Sequence, residues 1–225
     1  MAQSMSNIQL EGGKVVQRVA FRSQTGSING KPKRNNQDSF LVCQDYGGLK
    51  QQWLFGVFDG HGLNGHDVSA HIKKSLPQHL LQFINKNPKS LAEEEVRGLS
   101  MGFSASFLHV NHELMRSTHI DSTLSGSTAV AVLMRGDLIL CANAGDSRAI
   151  VGRLRSNDNW VAIPLSKDHK PDDPVERARI EHAGGRVEPF QGTPYHRSQR
   201  SVHRACTRLE PARADPRPGH VPVSR

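Results

Sequence analysis

Residues 53–67, WLFGVFDGHGLNGHD, drive an apolar segment straight into an acid, a histidine and three closely spaced glycines. The run from Trp53 to Phe58 is rich in aromatic and β-branched residues and too short for a buried helix, so it reads as a strand with Asp59 at its mouth. A carboxylate there is costly unless something pairs with it. Whatever pairs with Asp59 therefore constrains both the fold and the chemistry.

Around this strand the chain alternates between β-like and helical periods. VVQRVAFRSQ reads as a strand, SINGKPKRNNQ as a loop, and DSFLVCQDY and QWLFGVFD as two strands joined through Gly47-Gly48. Val68, Ile72, Leu76, Leu80 and Phe83 then recur at helical spacing, with Pro77 marking a break or a fresh start. Ser90 and Glu93 form a capping box before a second apolar stripe, Val96, Leu99, Phe103, Phe107, Val110 and Leu114. The segment STAVAVLMRGDLILCANAGDSRAIVGRL predicts an antiparallel meander of three strands that turns at Arg135-Gly136-Asp137 and at Gly145-Asp146. Asp173 before Pro174 starts a helix that passes through Arg177 and Ile180 and stops at Gly184-Gly185.

Residues 60–65 spell G-x-G-x-x-G between a strand and a helix, the context of a dinucleotide fingerprint. Asp59 would repel a pyrophosphate, however, and no acid lies about twenty residues on to hold a ribose. An EF-hand loop fails because His61 and Leu63 stand where oxygen ligands are needed. Two readings remain open from the residues alone. Asp59 caps the following turn or helix, or it and the Gly60 carbonyl offer oxygen donors to Mg²⁺ or Mn²⁺, with His61 beside them as a proton donor or acceptor.

Five segments carry a more specific signal: NQDSF (36–40), FGVFDGHGLNG (55–65), SGSTAVAVL (125–133), ANAGDSRAIV (142–151) and LSKDHKPDDPVERARIEHAGGRV (165–187). In this order and spacing they resemble the metal-dependent protein Ser/Thr phosphatases of type 2C, the PPM family. The resemblance implies an α+β fold, a four-layer sandwich of two antiparallel sheets flanked by helices, with two Mg or Mn ions at one end. By position, Asp59 resembles the aspartate that bridges both ions, and the Gly60 carbonyl a ligand of one. Asp38 resembles the acid that orients the reacting water. His61 resembles the general acid for the leaving oxygen, Lys33 or Arg34 the group that grips the substrate phosphate, and Asp146 an acid linked in some members to a third ion. Two such cations would clamp the phosphoryl oxygens and activate water without a protein nucleophile.

The pattern departs from the family at two places. Gln37 stands where many members carry Glu, and the C-terminal Asp-Gly and Asp-Asn motifs have no counterpart, the only acids beyond Glu188 being Glu210 and Asp215. The expectation is a mobile segment over 1–15, a partial phosphatase domain over 16–190, truncated or frameshifted after about residue 190 and incomplete at its C-terminus, and a disordered Arg/Pro-rich tail over 191–225. That tail holds seven arginines against two acids and supplies most of the net charge of +8. It has almost no aromatic stacking residues, which argues against nucleic-acid binding despite the charge. Three dispersed cysteines suggest a reducing compartment and no zinc site, and no apolar run is long enough to span a bilayer. The expected protein is cytoplasmic or nuclear and monomeric, and acts on phosphorylated proteins, with little or no activity from this chain. The alternative is a non-catalytic phosphatase-like binding protein that keeps Lys33 and Arg34 but does not hold both ions.

Overall fold

β-Branched and aromatic residues between Gln52 and His61 build β4, the axis of the structure. The computed structural model describes residues 16, 18–84, 93–136, 138–155 and 159–187. The expectations for 1–15, for Ser90 of the capping box and for the 191–225 tail lie outside these residues. Ser27–Ile28 (β1) and Lys31–Pro32 (β2) form a small hairpin. The main sheet is antiparallel, in the order Asp38–Cys43 (β3), β4, Ala129–Arg135 (β6) and Leu138–Ala144 (β7), with Gly126–Ser127 (β5) paired to the end of β4.

The two-residue period of β4 sorts its side chains onto two faces. Leu54 and Phe58 point to one face and are fully buried. With Ala131, Leu133, Leu140 and Ala142 they pack under Gly65–Leu80 (α1) and Glu93–Arg116 (α2), whose stripes Val68/Ile72/Leu76/Leu80 and Leu99/Phe103/Phe107/Val110 were legible from helical spacing. Fully burying each such side chain contributes roughly 1.5–3 kcal/mol. On the opposite face Trp53 is covered by Val16 and Val19, beside the partly buried Val42, Phe55 and Met134.

Four details differ from expectation. The VVQRVAFRSQ segment lays Val16 and Val19 on the sheet and brings Phe21 against Phe40, but its described residues form no ladder. Apolar alternation there records contact with a sheet face and not strand pairing. Pro77 does not break α1. It sits three residues before the helix end at Leu80, where its ring removes one helical hydrogen bond, and its carbonyl accepts from the Tyr46 hydroxyl. Gly145-Asp146 is no hairpin turn, because β7 ends there and the chain leaves the main sheet. The next strand, Ile150–Leu154 (β8), pairs instead with Trp160–Pro164 (β9), a strand the sequence reading did not assign.

Pro174–His182 (α3) forms as its cap predicts: the Asp173 carboxylate accepts from the Val175 and Glu176 backbone N–H groups, and the chain leaves the helix at Ala183. Together these elements are an α+β fold of antiparallel sheets and helices. No helix among the described residues is long and apolar enough to cross a membrane.

Candidate functional site

One end of the main sheet gathers the acids singled out in the sequence. Antiparallel register puts Asp38, at the start of β3, directly opposite Asp59, near the end of β4. Like charges in such a cross-strand pair repel. Partial burial, the facing Asp59 charge and a hydrogen bond between the two carboxyls push Asp38 above the usual carboxylate range, against a smaller opposing pull from Lys33. Asp59 caps nothing: β4 continues past it to His61, and α1 begins only at Gly65, after Asn64. Both acids reach solvent.

Backbone groups hold this pair in place. The Asp59 N–H donates to Thr128 Oγ1 (3.0 Å), and the Asp59 carbonyl accepts from the Thr128 N–H (3.0 Å). Thr128 Oγ1 in turn lies 2.6 Å from Ser147 Oγ. On the other side the Gln37 carbonyl accepts from the Gly60 N–H (3.2 Å) and from Ser69 Oγ of α1 (2.6 Å). Gln37 Nε2 donates to the Gly62 carbonyl (2.6 Å). Gln37 is therefore a brace between β3 and the loop after β4, a role its replacement of an acid did not suggest.

The glycines have specific reasons. A Cβ on Gly60 would stand 2.2 Å from the Gly65 carbonyl oxygen and 2.5 Å from that of Gln37, so only glycine lets strand, loop and helix meet here. Gly62 adopts φ +84°, and a Cβ there would lie 2.2 Å from the Leu124 carbonyl oxygen. Ser125 Oγ then accepts from the Asn64 N–H (2.9 Å) and Asn64 Nδ2 donates to the Asp121 carbonyl (2.9 Å), which ties the loop to the segment between α2 and β5.

The remaining predicted residues are distributed around the pair. His61 is exposed, with its ring over Gly126 across the β4–β5 ladder. Lys33 is close enough to Asp38 to act on its carboxyl. With Arg34, Asn35, Gln37, Gly62, Leu63, Asn64 and His66 it lines a recess of about 480 Å³. Asp146 is exposed and reaches the same sheet end one step removed, through its neighbour Ser147 on Thr128. Below it Asn143 Nδ2 donates to the Gly145 and Lys167 carbonyls, and the His169 N–H donates to the Gly145 carbonyl. The sequence placed the acids but missed Thr128, Gln37 and Ser125. All three act on backbone groups; the hydroxyl-rich start of SGSTAV signals Ser125 and Thr128, whereas Gln37 stood out in NQDSF only as a missing acid.

The donor set fits divalent cations of the Mg²⁺ or Mn²⁺ kind. Two facing carboxyls meet at a sheet end where both side chains reach solvent, and the backbone carbonyl of Gly60 follows Asp59 directly. Hard cations prefer such oxygen donors.

A family model described as Protein phosphatase 2C matches residues 24–214. The chain is 37% identical over 176 residues to Probable protein phosphatase 2C 64 of Oryza sativa subsp. japonica, covering 77% of this chain and 40% of that one. It is 34% identical to Probable protein phosphatase 2C 1 of Arabidopsis thaliana, covering 71% of this chain and 39% of the relative. The chain thus spans less than half the length of the curated relatives it matches. In fold it is similar to the serine-threonine phosphatase 2C from Toxoplasma gondii, with a TM-score of 0.64 at 21% identity over 84% of this chain and 61% of that one. A C. elegans sex determining protein superposes with a TM-score of 0.52 at 25% identity over 72% of this chain and 38% of that one.

Proposed function

The chain belongs to the protein phosphatase 2C family, and we propose from that membership that it carries the front half of a centre for hydrolysing phosphoserine and phosphothreonine in proteins. The observation that carries the proposal is the Asp38–Asp59 pair, two carboxyls held face to face by register at an open sheet end.

Asp59 and the Gly60 carbonyl would hold two Mg²⁺ or Mn²⁺ ions, Asp38 would orient water beside them, and Asp146 would serve a further, weaker site. Bound there, the cations supply positive charge for the phosphoryl oxygens and a more acidic water. The chain's own groups do the rest. Thr128 and Gln37 fix the backbone on both sides of Asp59, so the strand end that carries its carboxylate is held in place. Lys33 and Arg34, on the rim of the recess, place positive charge where a phosphate dianion would rest. His61, exposed next to Gly60, would give a proton to the departing serine or threonine oxygen.

The test is a chimera that continues this chain with the C-terminal segment of the rice relative, assayed for Mn²⁺-dependent phosphate release from a phosphothreonine peptide. Asp59→Asn should abolish turnover, because one full negative charge between two cations is lost. Near-normal turnover by that variant would remove Asp59 from the centre.

A further inference from the structure

A second cluster of ligating side chains lies between α1 and α2, away from the acids at the sheet end. Glu113 of α2 is its hub. Its Oε1 is 2.9 Å from His79 Nε2 of α1 and 3.7 Å from His109 Nε2, one helical turn earlier on α2. Its Oε2 accepts from Ser75 Oγ at 2.5 Å and lies 3.0 Å from His71 Nε2. The His79 and His109 rings approach with centroids 3.9 Å apart. Fourteen residues separate His79 from the start of α1 at Gly65, about 21 Å along the helix axis.

We propose that His79, His109 and Glu113 form a binding site for a Zn²⁺-like dication that ties α1 to α2. The donor atoms all lie within 4.8 Å of one another. Tetrahedral Zn²⁺ with ligands at about 2.0–2.1 Å requires donor separations near 3.3 Å, and the 2.9 and 3.7 Å contacts to Oε1 bracket that value. The i, i+4 spacing of His109 and Glu113 puts both on one face of α2 by helical geometry. Ser75 and His71 occupy the other carboxylate oxygen, which turns Oε1 toward the two imidazoles and fixes it there, the outer support that ligating carboxylates need.

Charge and access agree with this assignment. Partial burial works against ionisation of Glu113, while hydrogen bonds from Ser75, His79 and His71 outweigh it and lower its carboxyl. The His79 side chain is 18% exposed and that of His109 59%, so the cluster has a packed side and an open side where water can complete the shell. Two imidazoles and one carboxylate favour late first-row ions over Mg²⁺. The two sites therefore sort ions by chemistry, hard cations to the sheet end and a Zn²⁺-like ion to the helix pair.

Calorimetric titration of the full 225-residue chain with Zn²⁺ in millimolar Mg²⁺ tests the proposal, with circular dichroism to check that each variant is folded. The expected result is Zn²⁺ binding that weakens at least about 10-fold in His109→Ala and in Glu113→Gln. His109 is largely exposed, so its removal leaves the helix packing intact. Absence of Zn²⁺ binding overturns the proposal. Zn²⁺ binding equal in parent and His109→Ala overturns it as well, by placing the ion elsewhere.

Discussion

Replacing Gly60 by alanine tests whether the acid pair depends on the convergence of three backbone segments. The new Cβ would meet the carbonyl oxygens of Gly65 at 2.2 Å and of Gln37 at 2.5 Å, about 1 Å inside an ordinary carbon–oxygen contact. Neither atom is the tip of a flexible side chain. The Gln37 oxygen already accepts from the Gly60 N–H and from Ser69 Oγ, so moving it away strains two hydrogen bonds. Overpacking costs about 1–3 kcal/mol and each weakened hydrogen bond about 1 kcal/mol, partly offset by about 0.5–1 kcal/mol of lost glycine entropy, which leaves a net cost of about 2–4 kcal/mol. Gly98, in the interior of α2 with nothing within 4 Å of its would-be Cβ, is the matched control, and alanine there should stabilise by about 0.5–1 kcal/mol. Equilibrium urea unfolding, followed by the fluorescence of the buried Trp53, measures both. A Gly60→Ala midpoint equivalent to less than about 0.5 kcal/mol of destabilisation, at unchanged slope, would refute the convergence argument.

Other perturbations reach different links of the chain. In the chimera, His61→Ala should slow hydrolysis of an alkyl phosphate more than that of an aryl phosphate, since only the poorer leaving group needs protonation; equal losses in kcat would leave His61 no acid role. Glu95→Ala strands the buried Arg135 guanidinium, which donates to Glu95 and to the fully buried Gln52. It should cost about 3–5 kcal/mol in urea unfolding, most of it recovered in the double variant Glu95→Leu/Arg135→Met. Asp173→Ala removes the acceptor for two N–H groups at the start of α3 and should lower the urea midpoint by the same measurement, whereas Asp173→Asn should lower it less.

The parts of the fold legible in the sequence were those whose physics is local. The Asp173-Pro174 cap, the stripes of α1 and α2 and the apolar run of β4 each reside in a few neighbouring residues, and all formed. The misreadings share a different cause. A Gly-Asp dipeptide reports that the chain turns and says nothing of which strand the next one pairs with, so Gly145-Asp146 read as a hairpin although it is an exit from the sheet. Alternating apolar residues report contact with a flat surface, which Val16 and Val19 make on Trp53 without joining a ladder. WVAIP carries β-formers in Trp160, Val161 and Ile163, but its pairing with Ile150–Leu154 is non-local information.

The same division runs through the site. Asp38 and Asp59 stand 21 residues apart, and their meeting follows from one fact of register, that β3 and β4 pair with Cys43 opposite Leu54 and every later pair in step. A slip of one residue would turn Asp59 to the opposite face and leave the pair unmade. Register is in turn set by burial: Leu54 and Phe58 must face α1 and α2, which leaves Asp59 on the other parity at the strand's open end. Thr128 then holds β4 through both the N–H and the carbonyl of Asp59, so the acid cannot retreat from its neighbour into solvent without breaking two backbone hydrogen bonds. The hydrophobic core thus holds two like charges together that would separate on their own, and that stored repulsion is what a divalent cation at this place would relieve.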